Sequence, residues 1–210
     1  MFECVAAVVR INLKTNDIAT FEKEFFPLFL NILQNDITEF MPYVFQILAL
    51  VVENKPQGSI SSTDILRNIF PQCMMAQLWM DQGNVPPLTR FVIAFLSRQD
   101  CRDMVMEKIN ALLGLFQKMI NSKANDDKAF TILNTMIVHL DNAVMANYLP
   151  KLLGIVFKRI QAKKTNKVIR GLLLLLSTII LNHGPNAAVG LINSIQPNMF
   201  IMVLNKLRPV

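Results

Sequence analysis

The sequence is poor in charged residues and in cysteine, and each shortage excludes a class of protein. Charged residues make up 17% of the 210-residue chain, whereas an average domain has about a quarter. Such a low charge is typical of a piece of a larger assembly, while a hydrophobic content of 52% excludes a disordered chain. The three cysteines are too few for a disulfide framework, which favours a reducing compartment.

Long hydrophobic runs are also lacking. The nearest candidate, residues 172–181, is only ten residues long, about half of what a membrane-spanning helix needs. We therefore expect no membrane span, and we interpret this run as a buried helix.

Groups that carry catalysis are few and scattered. His139 and His183 lie near the ends of predicted helices, without companions at metal-binding spacing. The glycines form no phosphate-binding motif. The cysteines are isolated and are expected to fill apolar gaps, and Cys101, close to Arg98 and Arg102, is the best candidate for a reactive thiol. The sequence therefore predicts no enzyme, no metal site and no cofactor.

Acidic residues disappear from the last third of the chain. Residues 1–141 hold 12 basic and 15 acidic side chains, a net charge of −3, whereas residues 142–210 hold nine basic ones and no acidic one. A split of this kind concerns partners and association rather than fold.

Apolar residues recur at three- and four-residue spacing almost throughout, which predicts an all-α protein. The sequence offers no sustained two-residue alternation and no Asn-Gly or Asp-Gly hairpin turn. The predicted helices span residues 1–13, 17–34, 38–53, 62–80, 86–98, 103–121, 126–140, 144–162, 165–182, 186–194 and 197–207.

The helices are expected to form repeated pairs. Phe26-Pro27 recurs 44 residues later as Phe70-Pro71, and the string LLGL at 112–115 recurs 40 residues later as LLGI. A period of about 40–47 residues with two helices indicates HEAT or armadillo repeats, which stack into an α-solenoid.

The repeats predict one HEAT-type array over residues 1–210, a fragment of a longer superhelix. The hairpins are expected at 17–53, 62–98, 103–140, 144–182 and 186–207. Helix 1–13 is left over from a preceding repeat, so Val5, Val8 and Val9 are expected to be partly exposed. Exposed apolar surface of this kind predicts weak self-association of the isolated fragment.

A basic cluster is the sharpest candidate site. Its predicted protein-binding residues are Lys158, Arg159, Lys163, Lys164, Lys167 and Arg170. Three of them fall at the turn between two predicted helices and would share one edge of the solenoid. The cluster is either a solvated edge or a contact for an acidic protein surface. Nucleic acid is the least favoured partner, because no aromatic residues interleave with the lysines for base stacking.

Several strings resemble a known family in their order along the chain. They are FEC at 2–4, LQND at 33–36, EFMPYVFQ at 39–46, GNVP at 83–86, LLGLFQK at 112–118, SKAND at 122–126 and IQPNMF at 195–200. They resemble the C-terminal part of the cellular apoptosis susceptibility family of importin-α re-exporters, within the importin-β superfamily.

The resemblance implies a nuclear transport receptor that shuttles between nucleus and cytoplasm. Members of this family are long HEAT superhelices that bind importin-α together with Ran-GTP and carry importin-α out of the nucleus. GTP hydrolysis is then the work of Ran and not of the receptor. Two alternatives stay open: a HEAT-repeat scaffold unrelated to transport, and a basic solenoid that binds nucleic acid.

Overall fold

The computed structural model describes residues 2–15, 18–162 and 165–207. Regular structure in these ranges consists of twelve α-helices and one short 3-10 helix, with no strand. The predicted all-α class is therefore confirmed. None of the described helices is both long enough and apolar enough to cross a membrane.

The chain divides into two compact units, residues 1–112 and 113–210. The first unit contains α1 (Phe2–Thr15), α2 (Ile18–Gln34), α3 (Met41–Asn54), α4 (Ile65–Gln72), α5 (Val85–Leu96), the 3-10 helix (Gln99–Cys101) and α6 (Arg102–Glu107). Helix α7 (Ile109–Ile120) crosses the division. The second unit contains α8 (Asp126–His139), α9 (Asn142–Ala162), α10 (Asn166–His183), α11 (Pro185–Asn193) and α12 (Met199–Leu207). For nine of the eleven predicted helices, both ends observed in the structure lie within three residues of the predicted ends.

Local sequence explains where several helices begin. The Asp64 carboxylate caps α4 by accepting a hydrogen bond from the Leu66 N–H, and the Thr165 hydroxyl does the same for the Val168 N–H of α10. Prolines occupy the first turn of α5, where no backbone donor is needed. Gly184 separates α10 from α11 at a φ of 82°, which a side chain would strain.

The predicted helix 62–80 is wrong in length. Helix α4 ends at Gln72, and a series of turns follows as far as Asn84. The indole N–H of Trp79 donates to the Cys73 carbonyl at 2.7 Å, and the Trp79 side chain is buried. Because the turns fold around the Trp79 side chain, its large apolar surface is buried. A straight helix over residues 62–80 would carry Trp79 to a different position.

The predicted helix 103–121 is divided in two. Helix α6 ends at Glu107 and α7 begins at Ile109, with Lys108 between them at φ −100° and ψ 10°. The Lys108 N–H lies 3.3 Å from the Met104 carbonyl and 3.2 Å from the Val105 carbonyl. A shared donor of this kind is common where helices end.

In the first unit, α3 packs against α1 on one side and α5 on the other, and α2 contacts both α1 and α3. The run 47–52 of α3 is wholly buried, because neighbouring helices cover most of its circumference. Phe95 of α5 packs against Phe70 of α4, with ring centroids 4.8 Å apart.

In the second unit, α10 packs closely against α8, while α11 contacts both α9 and α10. The tightest point is Gly171 of α10, where a Cβ atom would lie 2.3 Å from a ring carbon of Phe130 in α8. Glycine therefore sets how closely these two helices approach.

Helix α1 fits its prediction only in part. Val8 is exposed and Val5 is half-buried, but Val9 is buried where α1 packs on α2 and α3. Contacts with the following helices cover one face of α1 and leave the face that carries Val8 and Ile11 exposed.

Candidate interaction surface

The buried thiols have no reactive character. Burial raises the pKa of Cys73, and burial together with the Asp100 charge raises the pKa of Cys101 to about 11. Both are protonated at neutral pH, so the candidate reactive thiol at Cys101 is wrong. His139 and His183 lie at the last residues of α8 and α10, as predicted. Within the described ranges, no three His, Cys, Asp or Glu side chains are placed to hold a metal ion.

Two buried arginines, Arg98 and Arg159, instead bind segments that lie about one repeat earlier in the chain. In the first unit, the Arg98 guanidinium donates to the carbonyls of Val52 at 3.0 Å, Lys55 at 2.7 Å and Pro56 at 2.6 Å. It also pairs with Asp100, which accepts hydrogen bonds from the Gly58 N–H and the Ile60 N–H. The loop between α3 and α4 is thereby fixed by residues that lie about one repeat later.

The second unit contains a corresponding arrangement. The Arg159 guanidinium donates to the Ile120 carbonyl and to the Asp126 carboxylate, both at 3.0 Å. The Lys167 ammonium donates to the Ala124 carbonyl at 3.0 Å and pairs with Asp127 at 2.9 Å. These contacts hold the segment between α7 and α8, again about one repeat earlier in the chain.

Arg159 therefore differs from the other residues of the predicted basic cluster. It is only 7% exposed, and its charge is matched by a carboxylate that is itself buried. Arg159 lies on the inner side of α9. Adjacent side chains on a helix point about 100° apart, so Lys158 is exposed while Arg159 is buried. Arg159 stabilises the packing of the repeats and does not belong to an exposed edge.

The exposed members of the cluster lie where α9 and α10 meet. Lys158 is exposed near the end of α9, and Arg170 is exposed in the second turn of α10. Lys167 lies in the first turn of α10 with 43% of its side chain exposed. Lys163 and Lys164 lie outside the described residues. We call the described residues Lys158, Lys167 and Arg170 the basic edge.

Lys167 is partly neutralised by its neighbours. Burial alone would lower its pKa, but the hydrogen bonds and charges of Asp127 and Asp126 outweigh burial and raise the pKa. Its charge is therefore permanent at neutral pH but is shared with two carboxylates. Lys158 and Arg170 contribute more of the field that an approaching partner would meet.

Sequence reasoning did not predict the exposed apolar surface of α10, the helix that carries Lys167 and Arg170. Residues 172–181 are not wholly buried, because Leu172, Leu175, Leu176 and Ile179 lie inside while other leucines face outward. The exposed positions are Leu173, Leu174, Ile180 and Leu181, which we call the α10 stripe. The sequence did contain a signal for this surface. The helix is apolar around its whole circumference, whereas a helix in a two-layer repeat buries only part of its circumference.

A cleft of about 570 Å³ lies in the first unit beside the beginnings of α3 and α5. Its walls include Pro42, Tyr43, Pro86 and Arg90. Arg90 is already paired with Glu53 on α3, by bonds of 2.7 Å and 2.5 Å. The cleft combines these apolar side chains with the polar side chains of Thr38, Glu39 and Gln46.

The chain combines stacked helix pairs and buried inter-repeat contacts with exposed basic and apolar surfaces. Together these features define a helical-repeat interaction protein. The family model described as "CAS/CSE protein, C-terminus" matches residues 1–208, and the chain belongs to this family.

Similar proteins support this assignment. Exportin-2 of Oreochromis niloticus and Exportin-2 of Homo sapiens are each 38% identical to the chain over 211 residues, which is 99% of this chain and 21% of theirs. Exportin-2 of Drosophila melanogaster is 34% identical over 208 residues. The chain thus spans about a fifth of the length of these relatives.

A solved structure also matches. "The exportin Cse1 in its cargo-free, cytoplasmic state" superposes with a TM-score of 0.87 and 25% sequence identity, covering 98% of this chain and 21% of that one. The predicted α-solenoid of HEAT-type repeats is thereby confirmed.

Proposed function

We propose that the chain is the C-terminal HEAT-repeat segment of a nuclear export receptor, which binds importin-α cooperatively with Ran-GTP and returns it to the cytoplasm. The observation that carries the proposal is similarity to Exportin-2 over 99% of the chain. The segment works by binding and not by catalysis, and it shuttles between nucleus and cytoplasm with the receptor.

The surface supports this proposal physically. Solenoids offer extended surfaces to folded partners, and this one carries the basic edge, with Lys158 and Arg170 exposed. Positive charge of this kind attracts an acidic partner and raises its association rate. We assign the basic edge to an acidic surface of importin-α or of Ran.

The direct test is capture of importin-α by the immobilised 210-residue chain, with Ran loaded either with a non-hydrolysable GTP analogue or with GDP. The proposal predicts more importin-α on the surface with the GTP analogue than with GDP. If the chain retains equal amounts of importin-α in both nucleotide states, or retains none, the result favours the alternative of a HEAT-repeat scaffold unrelated to transport. Because the relatives are about five times longer, a chimaera of Exportin-2 that carries this segment tests it in a whole receptor.

One observation favours a nucleic-acid binder, namely the net charge of +9 in residues 142–210. Titration of salt against binding to duplex and single-stranded oligonucleotides separates this function from the first. Several phosphate contacts would give a steep fall of affinity with salt. We expect weak binding and a shallow slope, because the exposed face of α10 continues in leucines rather than in further cations.

A further inference from the structure

The outward face of α10 is mostly apolar from Leu173 to Leu181, over about two and a half turns. The exposed residues Arg170, Leu173, Leu174, Ile180 and Leu181 are spaced so that they fall on one side of the helix. Leu174 is 54% exposed and Leu181 is 85% exposed. The stripe thus begins at a basic residue and continues as aliphatic side chains.

The hydroxyl groups beside the stripe add little polarity. Ser177 donates to the Leu173 carbonyl and Thr178 donates to the Leu174 carbonyl, both at 2.9 Å. Because both hydroxyl donors are used within the helix, this part of α10 offers water or a partner mainly carbon atoms.

Burial within the second unit does not explain the stripe. Helix α10 already packs on α8, and its residues Leu172, Leu175 and Ile179 are buried. A helix on a protein surface usually has a polar outer face, and an apolar face of this size marks an interaction site.

Charge selects among the possible occupants. Lys167 and Arg170 are exposed at the beginning of α10, and residues 142–210 contain no acidic residue, so a second copy on the same face would bring like charges together. Nucleic acid would need aromatic stacking platforms, whereas the stripe is aliphatic. An acidic partner with an apolar face satisfies both features.

We propose that the α10 stripe docks an acidic amphipathic helix of a partner protein. The apolar face of that helix packs on Leu173, Leu174, Ile180 and Leu181, and its acidic residues lie beside Arg170 and the basic edge. Docking a helix by its apolar row is a common mode of recognition. This inference holds whether or not the partner is importin-α.

The test uses the whole chain and a defined probe. The probe is a fluorescein-labelled synthetic peptide of about 18 residues, five helical turns, with leucines on one face and glutamates on the other. A second peptide of the same composition in scrambled order removes the apolar row, and a third replaces each glutamate by lysine. Fluorescence anisotropy against the chain should show binding of the first peptide and weaker binding of the other two.

Variants identify the surface. Leu174→Gln/Leu181→Gln should weaken binding of the acidic peptide about tenfold or more, since buried anchors dominate such interfaces. Arg170→Glu should weaken binding at low salt and much less at high salt, because exposed charges are screened. Leu28→Gln, at an exposed leucine of α2, is the matched control and should bind like the unaltered chain. Circular dichroism checks that each variant is folded.

Three results would overturn the proposal. They are equal binding of the acidic, scrambled and lysine peptides, undiminished binding by the folded double glutamine variant, and no binding of the acidic peptide. Sedimentation velocity tests the remaining occupant. A dimer that the Leu174→Gln/Leu181→Gln substitutions dissociate would assign the stripe to a second copy and also overturn the proposal.

Discussion

Lys158 and Arg159 are neighbours in sequence but lie in opposite environments, one exposed and one buried against Asp126. We predict that Arg159→Met lowers the free energy of unfolding by about 3 kcal/mol, because the buried Asp126 carboxylate then keeps only its 3.3 Å contact with the Lys167 ammonium. Lys158→Met should change it by less than about 0.5 kcal/mol. Urea denaturation of the two variants measures the difference, and similar midpoints would show that the Arg159 ion pair does not stabilise the fold.

Asp100 gives the protein a dependence on acid. Burial alone would raise its pKa, but the hydrogen bonds from Arg98, Ile60 and Gly58 and the Arg98 charge outweigh burial and lower the pKa below 3.8. The unfolded chain therefore takes up this proton first on acidification. The stabilising contribution of Asp100 is complete above pH 3.8 and is lost as the pH falls through the lower folded value.

We predict that Asp100→Asn reduces this part of the acid sensitivity. Urea midpoints measured between about pH 5 and pH 2 should fall less steeply for the variant than for the unaltered chain, since the carboxylate that titrates is gone. Asp141→Asn, at an exposed position, is the control. The same slope in all three proteins would show that Asp100 does not contribute to acid unfolding.

Two glycines inside helices give opposite expectations at the scale of elements. A Cβ atom at Gly171 would lie 2.3 Å from the Phe130 ring, whereas one at Gly154 of α9 would meet nothing within 4 Å. We predict that Gly171→Ala destabilises the protein by about 1–3 kcal/mol, because α8 and α10 must move apart. Gly154→Ala should stabilise it by up to about 1 kcal/mol through helix propensity. Thermal unfolding of both variants checks the signs of these two stability changes. If both substitutions stabilise the protein, the α8–α10 contact accommodates the added methyl group at little cost.

Helix positions could be predicted from sequence where apolar spacing coincided with a cap or a proline, as at α5 and α10. The spacing failed where a tertiary contact decided the backbone. Nothing local distinguishes Trp79 on a helix from Trp79 folded back onto the Cys73 carbonyl. The break at Lys108 was hidden as well, because apolar residues continue at helical spacing on both sides of it.

At the scale of the whole molecule, the repeat period was predictable because it is a property of the chain. The shifts of 40–44 residues seen in the sequence agree with the separations of 39–46 residues between Arg98, Arg159 or Lys167 and the carbonyls that they bind. The composition of the basic edge was less predictable. Which of two adjacent cations faces inward depends on the phase of α9 against its neighbours, and the partner of Arg159, Asp126, lies 33 residues away.

The basic edge belongs to this largest scale because its effect is that of a field rather than of single contacts. Lys167 shares its charge with Asp126 and Asp127, so Lys158 and Arg170 are the better positions to alter. We predict that Lys158→Glu/Arg170→Glu slows association of the chain with importin-α roughly tenfold at low salt, within the range that electrostatic steering supplies.

The matched control for the basic edge is Arg10→Glu/Lys23→Glu, which reverses two exposed charges on α1 and α2. Stopped-flow or surface-plasmon measurements at low and high salt should show a difference that shrinks as salt screens the exposed charges. Dissociation rates should change little, because charges at the rim of an interface act mainly on encounter. If the Lys158→Glu/Arg170→Glu variant and the control associate at the same rate, the basic edge is a solvated face and the acidic partner contacts another part of the receptor.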